Sequence, residues 1–338
     1  MSKDPVSHHY LPQFYLKFFS FDYIKRKKIY RLYSYDKEYQ PVVTPKTTKE
    51  ICCEKHRNTL DTFGERDFFI EKTFSELEGI MAEFFRVTTN FCNEKQRLNN
   101  PAWLRDIHIK KSKLTPLDEL KEEPYYCRVL NYFIHVFYWR LTKNDLYFEL
   151  NTTKKIVSKS IDEIIERSQT LDFEDLSIIP SFLNEVKAEI ELPFLFGEEE
   201  NFIKIYKNLI YPIQGVFFKN QNNFKLYQAN IVNQFIVGSD MPFVTDQQGI
   251  GLDKPFLFTW SPNIVYINTC IQSRLKITNV REWVFKLSVL NYLQAKRFVF
   301  SKDSSTLKNV IHYTNMRYNP HDVEIVKQEL YSLMKSIP

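Results

Sequence analysis

Phe256-Leu257-Phe258-Thr259-Trp260 and Asn263-Ile264-Val265-Tyr266-Ile267-Asn268, with Ser261-Pro262 between them, read as two β-strands separated by turn residues. Short runs of aromatic and β-branched side chains favour the pleated chain. Outward from this pair the same period recurs at Lys225 to Ile231, Phe235 to Gly238 and Arg297 to Ser301, so residues 219–305 are expected to be mainly β. One helix interrupts them. Asn279-Val280-Arg281-Glu282 is a capping box, and Trp283, Val284, Leu287 and Leu290 continue its apolar face. Asn291 lies on that face, where a buried amide must find partners, so it either braces a neighbouring loop or lines a site. Asn319-Pro320 opens a last amphipathic helix within 306–338.

Towards the other end, Pro12 suits a first helical turn and Phe14, Tyr15, Phe18 and Phe19 follow at helical spacing, which predicts a short helix over about 11–20 with His9 at or just before its start. Ile29 to Tyr35 alternates as a half-exposed strand, with companions at Val42-Val43 and Ile51-Cys52, so residues 1–60 hold a helix and an antiparallel sheet. From Asp67 to Thr88 the pattern is helical, and residues 61–218 read as mainly helical. A capping box at Ser160-Ile161-Asp162-Glu163 predicts one helix start, Ile178 to Ile190 a further amphipathic segment, and Asn220 to Asn223 a loop. With no internal repeat and no clean linker, the expectation is one α+β domain over 1–338. Its mixed or antiparallel sheet core comes from the N- and C-terminal parts around a large helical middle.

Composition narrows the function classes. Hydrophobic residues are 43% and charged residues 26% of 338, ordinary for a soluble globular protein, while 29 Phe and 20 Tyr are many. Aromatic side chains fill cores, and on a surface they stack on bases. A net charge of +5 is well short of a dedicated nucleic-acid binder, although Lys25-Arg26-Lys27-Lys28 and the run His108 to Lys113 are locally basic. Five cysteines without CxxC spacing point to reduced thiols in a cytoplasm. Cys52 and Cys53, as neighbours on an extended strand, face opposite ways, one buried and one exposed. No apolar stretch is long enough for a membrane span. Only 7 Gly, and no Walker, dinucleotide-binding or G-x-S-x-G motif, argue against nucleotide-dependent and nucleophile-elbow chemistry. The triplet Glu185-Val186-Lys187 resembles half of a nuclease site but sits in a helical pattern.

Two polar motifs set in apolar segments are the best candidates for the walls of one site. In the first, His8 and His9 offer an imidazole for metal binding or general-base work, and Gln13 could orient substrate or water. In the second, Gly238-Ser239-Asp240-Met241-Pro242-Phe243-Val244-Thr245-Asp246 offers two carboxylates suited to a divalent ion, while Asp240 could equally cap its own turn. Glu71 and Glu78 are superposed on one helix face, roughly 10 Å apart. They read as solvated helix acids unless a third element reaches in.

Three blocks carry a resemblance: His9 to Leu16 with Phe19, Phe235 to Pro242, and Asn291 to Val299. They are similar to the signature blocks of domain-of-unknown-function family 4238, across about residues 8 to 305. The helix bearing Glu71 and Glu78 also resembles a family block. Met241 stands where the family often has Asn or a similar polar residue. The resemblance implies a shared fold and no established reaction.

The functional expectation is a metal-dependent hydrolase, more specifically a nuclease acting on RNA or DNA, in a defence or toxin setting. His9, Asp240 and Glu78 or Glu71 would hold Mg or Mn, Gln13 and Asn291 would position the phosphate or brace loops, and Arg297, Lys25 and Arg26 would neutralise substrate charge. Two rivals stay open: a non-enzymatic protein or nucleic-acid interaction module in which the motif residues form a structural network, and a metal-free transferase or glycohydrolase with Glu78 or Asp240 as its acid.

Overall fold

Every residue of the strands Phe256–Ser261 and Ile264–Asn268 is buried, so this pair is covered on both faces. Alternation divides it between two cores. Phe256, Phe258, Trp260, Ile264 and Tyr266 face the larger cluster, and Leu257, Val265 and Ile267 face the second. The computed structural model describes residues 7–27, 29–62, 64–92, 121, 123–169, 183–184, 187–188, 199–217, 224–229, 231–245, 251–252, 254–268 and 274–337.

The strands are β1 (Ser7–His9), β2 (Asp22–Ile24), β3 (Ile29–Asp36), β4 (Gln40–Thr47), β5 (Cys53–Lys55), β6 (Leu60–Thr62), β7 (Glu65–Asp67), β8 (Phe224–Gln228), β9 (Gly238–Ser239), β10 (Phe243–Thr245), β11 (Phe256–Ser261), β12 (Ile264–Asn268), β13 (Arg274–Ile277), β14 (Phe298–Ser301) and β15 (Met334–Ile337). The α-helices are α1 (Gln13–Phe18), α2 (Phe69–Cys92), α3 (Pro124–Trp139), α4 (Asp145–Asn151), α5 (Lys154–Gln169), α6 (Glu199–Ile205), α7 (Val280–Gln294), α8 (Ser304–Arg317) and α9 (Val323–Ser332). A π-helical segment, Tyr206–Ile210, continues α6.

The architecture is α+β with small antiparallel sheets. One runs β10-β11-β12-β8; a five-stranded one runs β2-β3-β14-β9, with β4 also on β3. Its β3–β14 pairing, Phe298 opposite Asp36 through Ser301 opposite Tyr33, joins the two ends of the chain as expected. Helix α1 sits where the sheets and helices converge. Tyr15 is fully buried, stacks on Phe258 and donates its hydroxyl to the Thr259 carbonyl at 2.7 Å. The α2 and α3 layer seals one face through Phe85 stacked on Trp260 at 4.0 Å. Helix α7 seals the other with Trp283, Leu287 and Leu290.

Several local expectations are corrected. Ser160 does not start a helix: α5 begins at Lys154, with the Thr153 hydroxyl accepting the Ile156 N–H, and Ser160 lies on its buried face. Residues 306–338 hold parts of two helices and strand β15, which pairs with β13. His9 ends a strand paired with Cys53 and does not sit at a helix start. Cys52 is not extended; it has φ +53, and its neighbour Cys53 is half-buried. The basic run His108 to Lys113, Glu185 and Val186, the Asn220 to Asn223 loop, Asp246 and Cys270 lie outside the described residues. No described helix is long and apolar enough to cross a membrane.

Candidate functional site

The polar residues of the first motif are built into a network by β1, β5, α2 and the end of α3. His8 is fully buried, and its Nδ1 accepts the Asn58 main-chain N–H at 2.9 Å, so that nitrogen carries no proton. The Glu71 oxygen 3.6 Å from it is therefore no donor–acceptor pair; Glu71 accepts instead from the Asn58 side-chain amide. His9 places Nε2 3.2 Å from the Thr48 carbonyl, which can only accept, so Nε2 bears the proton and Nδ1 the lone pair. Burial lowers the proton affinity of His9, opposed by the Thr48 bond and by Glu78.

Arg140, just past α3 and 2% exposed, ties this network together. Its Nη1 donates to Glu78 Oε1 at 2.9 Å, its Nη2 to the His9 carbonyl at 2.6 Å, and its guanidinium lies 3.8 Å over the Phe74 ring. Glu71 and Glu78 are thus anchored acids rather than the solvated ones expected from their spacing. From Arg140 the chain of charges continues outward: the Arg140 carbonyl accepts from Arg57 Nη2 at 3.3 Å, and Arg57 grips Asp145 at 2.6 and 2.8 Å and Glu54 at 2.6 Å. Lys207 also pairs with Asp145.

Asp240 belongs to a different network. It is 1% exposed, and its two oxygens accept the main-chain N–H groups of Lys296 at 3.0 Å, Arg297 at 2.8 Å and Phe298 at 3.0 Å, clamping the end of β9 to the start of β14. Burial pushes its carboxyl up to about 6, against the pull of those three donors and of Lys37. Tyr10 and Cys52 lie within its electrostatic reach, and burial raises the proton affinity of both. Lys37 caps α7 through the Tyr292 and Ala295 carbonyls.

Asn291 takes the first of its two expected roles. Its amide donates to the Val237 carbonyl and to Thr259 Oγ1, each at 2.8 Å, while Ser288 Oγ accepts the Val237 N–H at 3.1 Å. Helix side chains thereby hold the Val237 peptide, which lies one residue ahead of β9 and outside its ladder. Gln13 is half-buried and makes no side-chain hydrogen bond among the described residues. Arg297 is not free for substrate; it forks onto Asp36 at 2.9 to 3.2 Å and stacks over Tyr39. Lys25 and Arg26 are exposed in a 3-10 turn ahead of β3, without an ion pair among the described residues.

The residues expected to hold a divalent ion do not fit one. Asp240 has both oxygens committed to main-chain donors, Glu78 faces a guanidinium that would repel a cation, and the charged neighbours of His9 are Glu78 and Arg140 rather than Asp240. Among the described residues no group of three His, Cys, Asp or Glu side chains is placed to take a metal. What the sequence did not single out is Arg57, Asp145, Asn58 and Lys207, whose types follow no local motif; Arg57 and Lys207 lie 88 and 62 residues from the Asp145 they share.

Comparison with known proteins gives a family match. The family model described as "Protein of unknown function (DUF4238)" covers residues 7–140, a span that contains His8, His9, Arg57, Asn58, Glu71, Glu78 and Arg140. The blocks at Phe235 to Pro242 and Asn291 to Val299 fall outside it. No curated protein and no solved structure matches the chain.

Proposed function

We infer that this chain, which belongs to the DUF4238 family through residues 7–140, binds single-stranded nucleic acid along the β2–β3 edge. One arrangement supports the reading. Lys25, Arg26 and Lys27 project from the edge turn, flanked by Tyr23 stacked on Tyr30 at 4.4 Å and Phe21 stacked on Tyr33 at 4.3 Å. Lys17 lies over the Tyr30 ring and Arg31 over the Phe21 ring. Tyr30 and Tyr33 are an odd number of residues apart on one strand, so the two aromatic pairs sit on opposite faces of the edge. Phe21 and Tyr23 are 39% and 41% exposed, which leaves ring surface for stacking. Aromatic faces beside unneutralised cations are the elements that hold a single strand without reading its sequence.

The test is anisotropy of labelled single-stranded RNA and DNA against the same sequences as duplex, over a range of salt. Tyr23→Ala is expected to lose about 1–3 kcal/mol of binding. Replacing Lys25, Arg26 and Lys27 by Ala is expected to flatten the log Kd against log salt slope by about 2. Equal affinity for duplex, or a triple variant with an unchanged slope, refutes the edge as the binding surface.

Hydrolysis of the bound strand is the second reading, and His9 favours it: its protonated Nε2 is fixed by Thr48 and its Nδ1 is left as a base. Incubation of the same oligonucleotides with Mg, Mn or EDTA separates the cases. Cleavage in EDTA that a folded His9→Ala variant lacks supports a metal-free base. Cleavage that needs the ion returns a metal to the mechanism, and intact substrate throughout leaves binding alone.

A further inference from the structure

Arg57 and Lys207 are cations buried side by side, 11% and 6% exposed at their side chains, and both lean on one carboxylate, Asp145. They form the floor of a cavity of about 250 Å³ closed by Asn58, Ile203, Lys204 and Asn208. Its acids are arranged the other way. Glu200, 70% exposed and paired with Lys204 at 2.7 Å, and the exposed Glu149 stand at the mouth, and Glu54, held by Arg57, is half out in solvent. The cavity is thus cationic at depth and acidic at its rim.

The backbone around it is unusual on both sides. Lys207 and Asn208 are carried by the π-helical segment Tyr206–Ile210, a rare conformation frequent at functional sites. Arg57 follows His56, a non-glycine residue at φ +55. Asp145 offsets one floor cation and not the other: against the pull of burial, Asp145 and Glu54 raise the proton affinity of Arg57, while burial and the neighbouring Arg57 draw the Lys207 ammonium down to about 8. Lys207 has three N–H donors, and Asp145, shared with Arg57, is its acceptor among the described residues.

We propose that this cavity binds a small zwitterion of the amino-acid kind, its carboxylate set against Lys207 at the floor and Lys204 on the wall, and its ammonium against Glu149 at the mouth. The volume is below the usual range of drug-sized pockets, which suits a ligand of this size. A simple anion would meet the acidic rim, and a simple amine the cationic floor, so the two-ended ligand is the one that gains at both ends. The site is separate from the β2–β3 edge and does not depend on nucleic-acid binding.

The experiment screens the free α-amino acids one by one against the full chain by thermal shift, with inorganic phosphate and a linear diamine as one-ended probes, and follows with calorimetry on any hit. A saturable rise in Tm with at least one amino acid, larger than with either one-ended probe, is expected. Lys207→Met is expected to weaken that ligand at least ~30-fold, as loss of a buried charge partner does. Lys207→Met risks the fold, so Glu149→Gln and Lys204→Ala, at more exposed positions, are measured beside it, and each is expected to weaken binding. The proposal is overturned if no amino acid shifts Tm, if phosphate or the diamine does so as strongly, or if the rim and floor variants bind as the parent does.

Discussion

Glu78→Gln asks whether the acids of α2 hold the fold together or wait for a substrate. Arg140 is 2% exposed, and Glu78 is the carboxylate that neutralises it, at 2.9 Å. Arg140 Nε has no partner among the described residues, and beside Glu78 the charge is offset by the neutral His9 carbonyl and the Phe74 ring. Removing one member of such a pair typically destabilises by about 3–5 kcal/mol. Glu78 is 24% exposed and the Gln amide oxygen keeps one hydrogen bond, which reduces the expected loss to about 2–3 kcal/mol. For a chain of this length that is a fall in Tm of about 3–4 °C. Urea unfolding of Glu78→Gln, Arg140→Met and the double variant should give a coupling of about 2 kcal/mol. Repeating the cycle in high salt should change it little, because a desolvated pair is poorly screened. A Glu78→Gln protein within about 0.5 kcal/mol of the parent would refute the anchoring role and return Glu78 to the candidates for chemistry.

Three further outcomes rest on the same packing. Asp240→Ala strands three main-chain donors, that of Phe298 fully buried, and should lower stability by about 2 kcal/mol or more even after the relief of a buried charge, read by urea unfolding at neutral pH. Gly238→Ala drives a methyl to 2.4 Å from the Phe300 ring and 2.9 Å from Phe19, and should cost about 1–3 kcal/mol in the same assay. Burial holds His135 down to about 4, below its ordinary 6.5, so the fold binds its proton less tightly than the unfolded chain. Its contribution is therefore complete above pH ~6.5 and lost as pH falls towards ~4, a difference of about 3 kcal/mol. A His135→Gln variant should show a flatter acid limb, and an identical one would exclude His135 as its source.

What could be read from the sequence was what neighbours decide. The Asn279 box is real because its side chain reaches the Glu282 N–H three residues on, at 3.2 Å, and the α1 and β3 patterns likewise need only local spacing. Asn291 was legible as a buried amide for the same reason. The Ser160 box failed because Thr153 had already started the helix a turn and more earlier, so an apt pattern fell in its interior. Helix α8, capped by Asp303 on the Thr306 N–H, carried a signal that was passed over. The strand β13 had none strong enough, since its partner is the distant β15. The candidate site shows the limit most clearly. The residue types at His9 and Asp240 mark polar groups set in apolar surroundings, and Glu78 reads from its spacing as a solvated acid; whether each finds a metal, a guanidinium or three main-chain N–H groups is settled by segments far off in the chain.

The pairing of β3 with β14 bears on how the molecule comes into being. Arg297, at the head of β14, grips Asp36, at the end of β3, across 261 residues of intervening chain. At ribosomal rates of about 5–20 residues per second, β3 would wait roughly 13 to 50 seconds for its partner. During that interval an aromatic-rich strand would present an open edge, which makes β3 the segment a nascent-chain chaperone would be expected to shield.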